Sequence, residues 1–318
     1  MPPSLDIVIV NWNTGDALRT CLQSIADGAD GVRLARVAVV DNASSDDSMT
    51  LAAGVAVPMT VVRNETNQGF GVACNQGAAG STADYLLFLN PDTRLEADTL
   101  ARTLAFLEAP EQRTVGICGI RLLDDDGHAS TSAARFPSPR IFFGEATGLG
   151  RLLPGLFPRH LLTARDCATT RDVDQVIGAY FVIRRTLFES LGGFDPRFFV
   201  YFEEVDLSLR AKLAGYRSVY FAGATAYHTG GLSSDQVKAR RLFYTLRGRL
   251  LYASKHFSAV RRGLVMAITF GIEWPMRSLR ARLQGGSAPA ETATAFARLR
   301  EFVGHADWST NRERQRQP

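Results

Sequence analysis

The stretch Asp84-Tyr-Leu-Leu-Phe-Leu-Asn-Pro-Asp-Thr93 decides the fold. Tyr85 to Leu89 are apolar or aromatic without interruption, the pattern of a short strand buried on both faces. Asn90-Pro91-Asp92 stops the run, because Pro91 has no N–H to give a ladder. Two oxygen-bearing side chains, Asn90 and Asp92, are thereby expected at the carboxyl end of a central strand, the edge at which open α/β sheets bind ligands. Hard oxygen ligands two residues apart suit a divalent cation that also holds phosphate oxygens. The same tripeptide also reads as a plain turn before a helix predicted from about Asp98 to Leu107, with Asp92 as a cap.

The preceding chain repeats this layout. Leu5 to Val10 is a β-branched run, followed by the polar turn Asn11-Trp-Asn-Thr-Gly15 and a helix from about Asp16 to Ile25. Val37 to Val40 predicts a second strand ending in Asp41-Asn-Ala-Ser-Ser-Asp46, and Met59 to Arg63 a third, ending in Asn64-Glu-Thr-Asn-Gln-Gly-Phe-Gly71. A helix continues from Val72 through Ala79. Strand, polar loop and helix recur at intervals suited to βαβ units and a parallel sheet. Gly69-Phe-Gly71 opening a helix could bring backbone N–H groups to a phosphate. It is not the full G-x-G-x-x-G pattern, since position 74 is Cys, and no P-loop Gly-Lys-Ser/Thr is present. Hydride transfer and ATP hydrolysis both lose support.

Val115 to Leu123 predicts another strand, and Asp124-Asp-Asp-Gly127 a solvated tight turn rather than a metal site. Residues 135–172 are rich in Pro, Gly and Arg with poor periodicity, which predicts a long mobile segment covering the substrate. Val176 to Ile183 returns to a strand pattern, and a short helix ends at Gly192-Gly193. Then comes the second chemical cluster: Phe198-Phe-Val-Tyr-Phe-Glu-Glu-Val-Asp-Leu-Ser-Leu-Arg210 puts Glu203, Glu204 and Asp206 at the start of a helix predicted over about 204–214. The macrodipole favours acids there. Apolar neighbours such as Phe202 would instead raise a carboxylate's pKa and make it a better base, and capping accounts for one acid better than for three. Ser218 to Ala222 predicts a strand, after which Ala224-Thr-Ala-Tyr-His228 offers a histidine that becomes a metal ligand only if the fold carries it to Asp92.

At 318 residues, 46% hydrophobic and 21% charged, the chain has the totals of an ordinary globular protein of one large or two smaller domains. Its charge is unevenly distributed. Residues 235–318 carry 16 Lys/Arg against 6 Asp/Glu, a net +10, while residues 1–234 carry 20 against 26, a net −6. A basic tail on an acidic body is expected to meet an anionic surface or simply to be solvated, and without a recognition motif it does not read as a nucleic-acid binder. Cys21, Cys74, Cys118 and Cys167 lack C-x-x-C spacing and read as reduced, structural thiols of the cytosol. Leu5 to Val10 is too short for a signal segment, and no stretch reaches the roughly 18 apolar residues of a membrane span.

Taken together, Ile7-Val-Ile-Val-Asn-Trp-Asn13, Val39-Val-Asp-Asn-Ala-Ser-Ser-Asp46, Asn67-Gln-Gly-Phe-Gly71 with Asn75, Asn90-Pro-Asp92, Tyr201-Phe-Glu-Glu-Val-Asp-Leu207 and His228 follow the order seen in family 2 glycosyltransferases. From about residue 5 to 256 the chain resembles the rhamnosyltransferase-like branch, which builds bacterial cell-wall and surface polysaccharide. The resemblance implies a GT-A fold: a mostly parallel, Rossmann-like sheet flanked by helices over residues 1–234, with a nucleotide-sugar half to about 125 and an acceptor half from about 126. Residues 235–318 would be a basic, amphipathic helical extension.

The implied activity is a metal-dependent hexosyltransferase: inverting transfer of a sugar, rhamnose from dTDP-rhamnose or else a UDP-sugar, to a hydroxyl of a glycan or lipid-linked acceptor, with Mg²⁺ or Mn²⁺. A catalytically silent GT-A binding module is the reading from another class. Asn11, Asn13, Asp41, Asn67, Gly69, Asn75, Asn90 and Asp206 would line the nucleotide-sugar site, with Asp41 on the base. Asp92 and His228 would hold the metal. Glu204 stands where the family's base, usually Asp, is found, and Glu203 is its rival. Asn90 departs from the usual Asp-x-Asp by replacing a charged ligand with a neutral one.

The C-terminal segment has its own pattern. Arg240 to Tyr252 mixes basic and aromatic residues at helical spacing, and Gly263 to Met276 is largely apolar, 14 residues long and interrupted by Glu273. Such helices can lie in a membrane interface or pack on the sheet or a second subunit. The expected location is cytoplasmic, peripheral on the inner face of the cell membrane, with homo-oligomerisation left open.

Overall fold

The computed structural model describes residues 2–230 and 238–305. In chain order its first half contains β1 (Ser4–Asn11), α1 (Ala17–Asp27), β2 (Arg33–Asp41), α2 (Ser48–Leu51), β3 (Met59–Arg63), α3 (Phe70–Ala78), β4 (Tyr85–Leu89), β5 (Thr93–Leu95), α4 (Thr99–Glu108), β6 (Val115–Leu123) and β7 (Ala133–Ala134). Then come α5 (Pro139–Thr147), α6 (Leu149–Leu152), β8 (Arg171–Val173), β9 (Gln175–Val176), β10 (Tyr180–Arg184), α7 (Arg185–Ser190), α8 (Glu203–Leu213) and β11 (Arg217–His228). The last helices are α9 (Lys238–His256), α10 (Ala259–Ala267), a π-helical turn Ile268–Glu273, α11 (Trp274–Gln284) and α12 (Ala288–His305).

The chain divides into two compact units. One comprises Met1–Phe136, Leu161–Phe199 and Glu203–Ser233; the other comprises Pro137–His160, Val200–Phe202 and Ser234–Pro318. The expected domain boundary after residue 234 falls outside the described residues, as does the chain end beyond residue 305.

In the first unit the sheet order is β3-β2-β1-β4-β10-β6-β11-β5, with β8 on β11. The runs β3-β2-β1-β4 and β6-β11 are parallel, and β10 enters antiparallel between β4 and β6. Because β1, β2, β4, β6 and β11 point the same way, their carboxyl ends share one edge. Alternation across the pleat explains the continuous apolar runs: Leu5, Ile7, Ile9, Leu87 and Leu89 pack on one side with α1 and α4. Val8, Val10, Leu86 and Phe88 pack on the other, with Phe181, Phe194 and Leu207. All four cysteines are free and buried, and burial pushes the Cys21, Cys74 and Cys118 thiols up, so they behave as small apolar residues.

Two expectations need correction. Residues 135–172 are not one long covering loop. Pro137–His160 folds into α5 and α6, where the Ser138 hydroxyl accepts from Ile141 N and Pro139 sits at the first helical position. The strand expected over Ser218–Ala222 does not stop there but runs on to His228 as β11, whose pairing with β6 shifts register between Phe221 and Thr225.

On the second core face Phe88 meets Phe194 edge-on with centroids 4.9 Å apart and lies 5.1 Å from Phe188. Replacing Phe88 by Ala removes the ring from the middle of that cluster. We predict a loss of about 3–5 kcal/mol in chemical denaturation of the full chain.

Candidate active site

The carboxyl ends of β1 and β2 are joined by side-chain amides. Asn11 Nδ2 donates to Asp41 Oδ1 (3.3 Å), Ser44 Oγ (3.0 Å) and Ser48 Oγ (2.9 Å), and Asn11 Oδ1 accepts from Thr14 Oγ1. Asn13, at φ 52°, receives Ser45 N at 2.7 Å and gives its own N–H to Ser44 Oγ at 3.1 Å. Asp46 accepts the Gly15 N–H at 2.8 Å. These bonds turn two polar loops into one wall beside Asp41. Asn11 is fully buried, with its amide occupied inside the protein, so it shapes the wall rather than presenting donors to a ligand.

The next loop is tied to the same wall by Asn42, a residue the sequence pattern did not single out. Its Oδ1 accepts from Gln68 N (2.9 Å) and Asn64 Nδ2 (3.0 Å), and its Nδ2 donates to Asn67 Oδ1 (2.9 Å). The available signal was its place directly after Asp41, at a strand end facing an amide-rich loop. Asn67 Oδ1 also takes the Gly69 N–H, and the Phe70 N–H goes to Phe199 O at 2.6 Å. Two of the N–H groups expected to reach a phosphate from the start of α3 are therefore already bonded. Gly69 acts sterically: φ is 86°, and a Cβ there would stand 2.4 Å from Phe199 O. Asn75, on α3, bonds Phe194 N and O at 2.9 and 2.8 Å, which pins the turn after Gly193 rather than facing the cleft.

At the end of β4 the sequence-distant pair converges. His228 Nε2, closing β11, lies 3.3 Å from Asp92 Oδ1 and 3.4 Å from Asn90 Nδ2, and Thr229 N donates to Asp92 O at 3.2 Å. β5 follows Asp92 directly and pairs antiparallel with the end of β11, matching His228 to Thr93, and this brings the histidine back to Asp92. A carboxylate, an imidazole and, after a half-turn of the amide, the Asn90 oxygen could hold one divalent cation, with phosphate oxygens completing the shell. The set fits a metal bound jointly with its ligand better than a closed structural site.

Among the described residues, a second group of acid and histidine atoms lies within 4.8 Å: Asp124, Asp126 and His128. There the Asp124 carboxylate accepts the Asp126 and His128 N–H groups, so the geometry is that of the turn the sequence predicts.

The third element is the start of α8. Glu203, Glu204 and Asp206 occupy its first turn, and Arg210 and Lys212 its last, in agreement with the helix dipole. Their environments differ. Glu203 is 5% exposed, packs against Gly71 of α3, and its Oε2 has no hydrogen-bond partner among the described residues. Burial first, and the neighbouring Glu204 second, hold its pKa well above the usual carboxylate range. Glu204 is half-buried. Asp206 is fully buried and bound by Arg210 Nε at 2.8 Å, while Arg210 also holds the Leu191 and Gly193 carbonyls. Its carboxylate anchors α8 and has no surface to offer a nucleotide sugar, contrary to expectation.

Comparison with known proteins follows the same lines. The model of Glycosyl transferase family 2 matches residues 6–192. The chain is similar to the N-acetylglucosaminyl-diphospho-decaprenol L-rhamnosyltransferase of Mycobacterium tuberculosis (strain ATCC 25618 / H37Rv), at 29% identity over 259 residues, 76% of this chain and 81% of that protein. It is also similar to the rhamnosyltransferase WbbL of Escherichia coli (strain K12), at 28% identity over 145 residues, 46% of this chain and 52% of that protein. Among solved structures, a mannosyltransferase of Pyrobaculum calidifontis in complex with GDP-Man and Mn²⁺ superposes with a TM-score of 0.55 at 18% identity, over 96% of this chain and 77% of that one. That last likeness concerns the fold, which is GT-A. With more than half of its length matched by one family model, and with rhamnosyltransferases among its relatives, the chain belongs to glycosyl transferase family 2 as a rhamnosyltransferase-like member.

Proposed function

We propose that the protein is an inverting, divalent-metal-dependent transferase that moves rhamnose from dTDP-rhamnose to a hydroxyl of a lipid-linked acceptor in cell-wall or surface-polysaccharide synthesis, at the inner face of the cell membrane. The observation that carries this reading is the meeting of Asp92 and His228, 3.3 Å apart, at the sheet edge that also bears Asp41. Similarity to two rhamnosyltransferases, one named for a decaprenol-linked substrate, supports the sugar and the acceptor class.

In this reading Asp41 and the loop around Asn13 receive the nucleoside, while Asp92, His228 and Asn90 hold Mg²⁺ or Mn²⁺. The cation, when bound, supplies positive charge to the departing diphosphate. Glu204 takes the proton of the acceptor hydroxyl in this reading, since it is only half-buried whereas Glu203 is 5% exposed and lies against α3. Two carboxylates this close do not share full ionisation easily. Burial raises the Glu203 pKa and makes it, in this reading, the member of the pair that keeps a proton. An inverting displacement needs no covalent nucleophile, which fits a site built of carboxylates, amides and one imidazole.

Thermal shifts with dTDP, UDP and GDP, each with and without Mn²⁺, test the donor. At 100 times its Kd a ligand adds about 2.7 kcal/mol, a shift of several degrees. A dTDP shift that needs Mn²⁺ and disappears in Asp92→Ala is expected. A UDP-only shift overturns the donor, and an unchanged shift in Asp92→Ala overturns the ligand assignment.

Glu204→Gln is expected to lower kcat by about 10²–10⁴-fold with nucleotide binding intact; full turnover would move the base role to Glu203. Glu203→Gln should change the pH dependence of stability. A carboxyl raised in the folded state stabilises fully below its unfolded value of about 4.5, and that contribution is lost as pH climbs through the folded value. The neutral amide removes the loss, so denaturation midpoints of the variant relative to the parent should rise steadily above about pH 4.5.

A further inference from the structure

In the second unit, α10, the π-helical turn and α11 run without a break from Ala259 to Gln284, roughly 39 Å at the helical rise. One side of this helix is buried through Val265, Ile268, Thr269, Glu273 and Ala281. The opposite side carries Val260, Leu264, Gly271, Pro275, Leu279 and Leu283, all exposed, with Val260 at 83% and Leu283 at 81%. Their spacing of four or seven residues, with the wider π-helical turn between them, keeps them in one stripe. Arg261, Arg280 and Arg282 are exposed on the same helix. Its only acid, Glu273, is 3% exposed and ion-paired to Arg249 and to Arg277. The exposed surface of this helix is therefore apolar and basic, with no carboxylate.

We propose that this stripe is a membrane-docking surface, seated in the interface of a bilayer that contains anionic lipid. A helix with an apolar face and arginines beside it lies in the headgroup region, leucines inward and guanidinium groups at phosphate level. Among the described residues no helix is long and apolar enough to cross a membrane, so the contact lies along the surface. Charge decides against a second copy as the occupant: self-association about a two-fold axis would set arginine against arginine, whereas an anionic surface neutralises each one. The apolar content predicted over Gly263–Met276 thus divides: half of it is core, and the docking face extends beyond it to Val260 and Leu283. This inference deepens the lipid-linked acceptor reading and rests on it for its purpose, but its test is separate.

Flotation of the full chain with phosphatidylcholine vesicles, with and without about one-third phosphatidylglycerol, reads the contact. Binding to the anionic vesicles that weakens with salt is expected. Leu264→Ser/Leu279→Ser/Leu283→Ser, on exposed positions and with an unchanged melting temperature, should bind at least about tenfold less, and Arg280→Glu/Arg282→Glu should lose the preference for anionic lipid. Failure of the parent to float, or flotation of the triple-serine variant like the parent, overturns the surface. So does a change from dimer to monomer in light scattering with flotation unaltered, which would assign the stripe to a second copy. The dTDP thermal shift in the same variants reports the transferase reading independently and should not move.

Discussion

A parallel sheet covered on both faces leaves its strands no room for polar chemistry. β1 and β4 are buried along their whole length, so the side chains able to bind or ionise collect where the strands stop. Parallel pairing then brings those stops together. Asn11 and Asp41 are partners in register, Asn90 and Asp92 follow β4 immediately, and β11 delivers His228 from the far end of the first unit. Everything proposed about sugar transfer depends on this sorting of apolar strand from polar terminus.

The edge so formed is held by neutral groups more than by charges. Asn11 ties the first two loops through Asp41, Ser44 and Ser48, Asn42 ties on the third through Asn64 and Asn67, and the burial of Asn11 and Asn42 makes a missing partner costly there. Charge appears only where it can act. Asp206 is neutralised by Arg210, Glu203 is driven toward its neutral form, and Glu204 and Asp92 are only half-buried. The helix dipole explains why acids are tolerated at the start of α8; desolvation explains why they are not equivalent.

Much of this is legible in the sequence because it is local. Leu5–Val10 and Tyr85–Leu89 are long apolar runs ended by Asn or Pro, and the polar residues after them are necessarily at strand ends. The pairing of His228 with Asp92 is not local, and only the resemblance to a family suggested it. Positions such as Asn75 and Asp206 carry the right residue types but turn inward, and nothing in spacing alone separates a ligand contact from an anchor. The helix over Pro139–Thr147 was hidden by its Pro-Ser-Pro entry. The partners that bury it come from far along the chain: Arg249 lies 4.4 Å over the Phe142 ring. Asn42 was overlooked because its work is done by a side chain bonding to two segments some twenty-five residues further on.

The π-helical turn at Ile268–Glu273 bears on how this chain can change length. Its wider turn advances each residue by a smaller angle than an α-helix does, and over six residues the difference amounts to roughly 110° of rotation. Val260 and Leu264 before the turn and Leu279 and Leu283 after it share a face because of that offset. Deleting a single residue within the turn removes about 100° of rotation just as ordinary α-geometry restores the roughly 110° that the wider turn withholds, so the distal leucines would stay on the same face. The turn is therefore where this helix can lose one codon and keep its exposed stripe, whereas the same loss in the α-helical stretches on either side would rotate the distal leucines by about 100°.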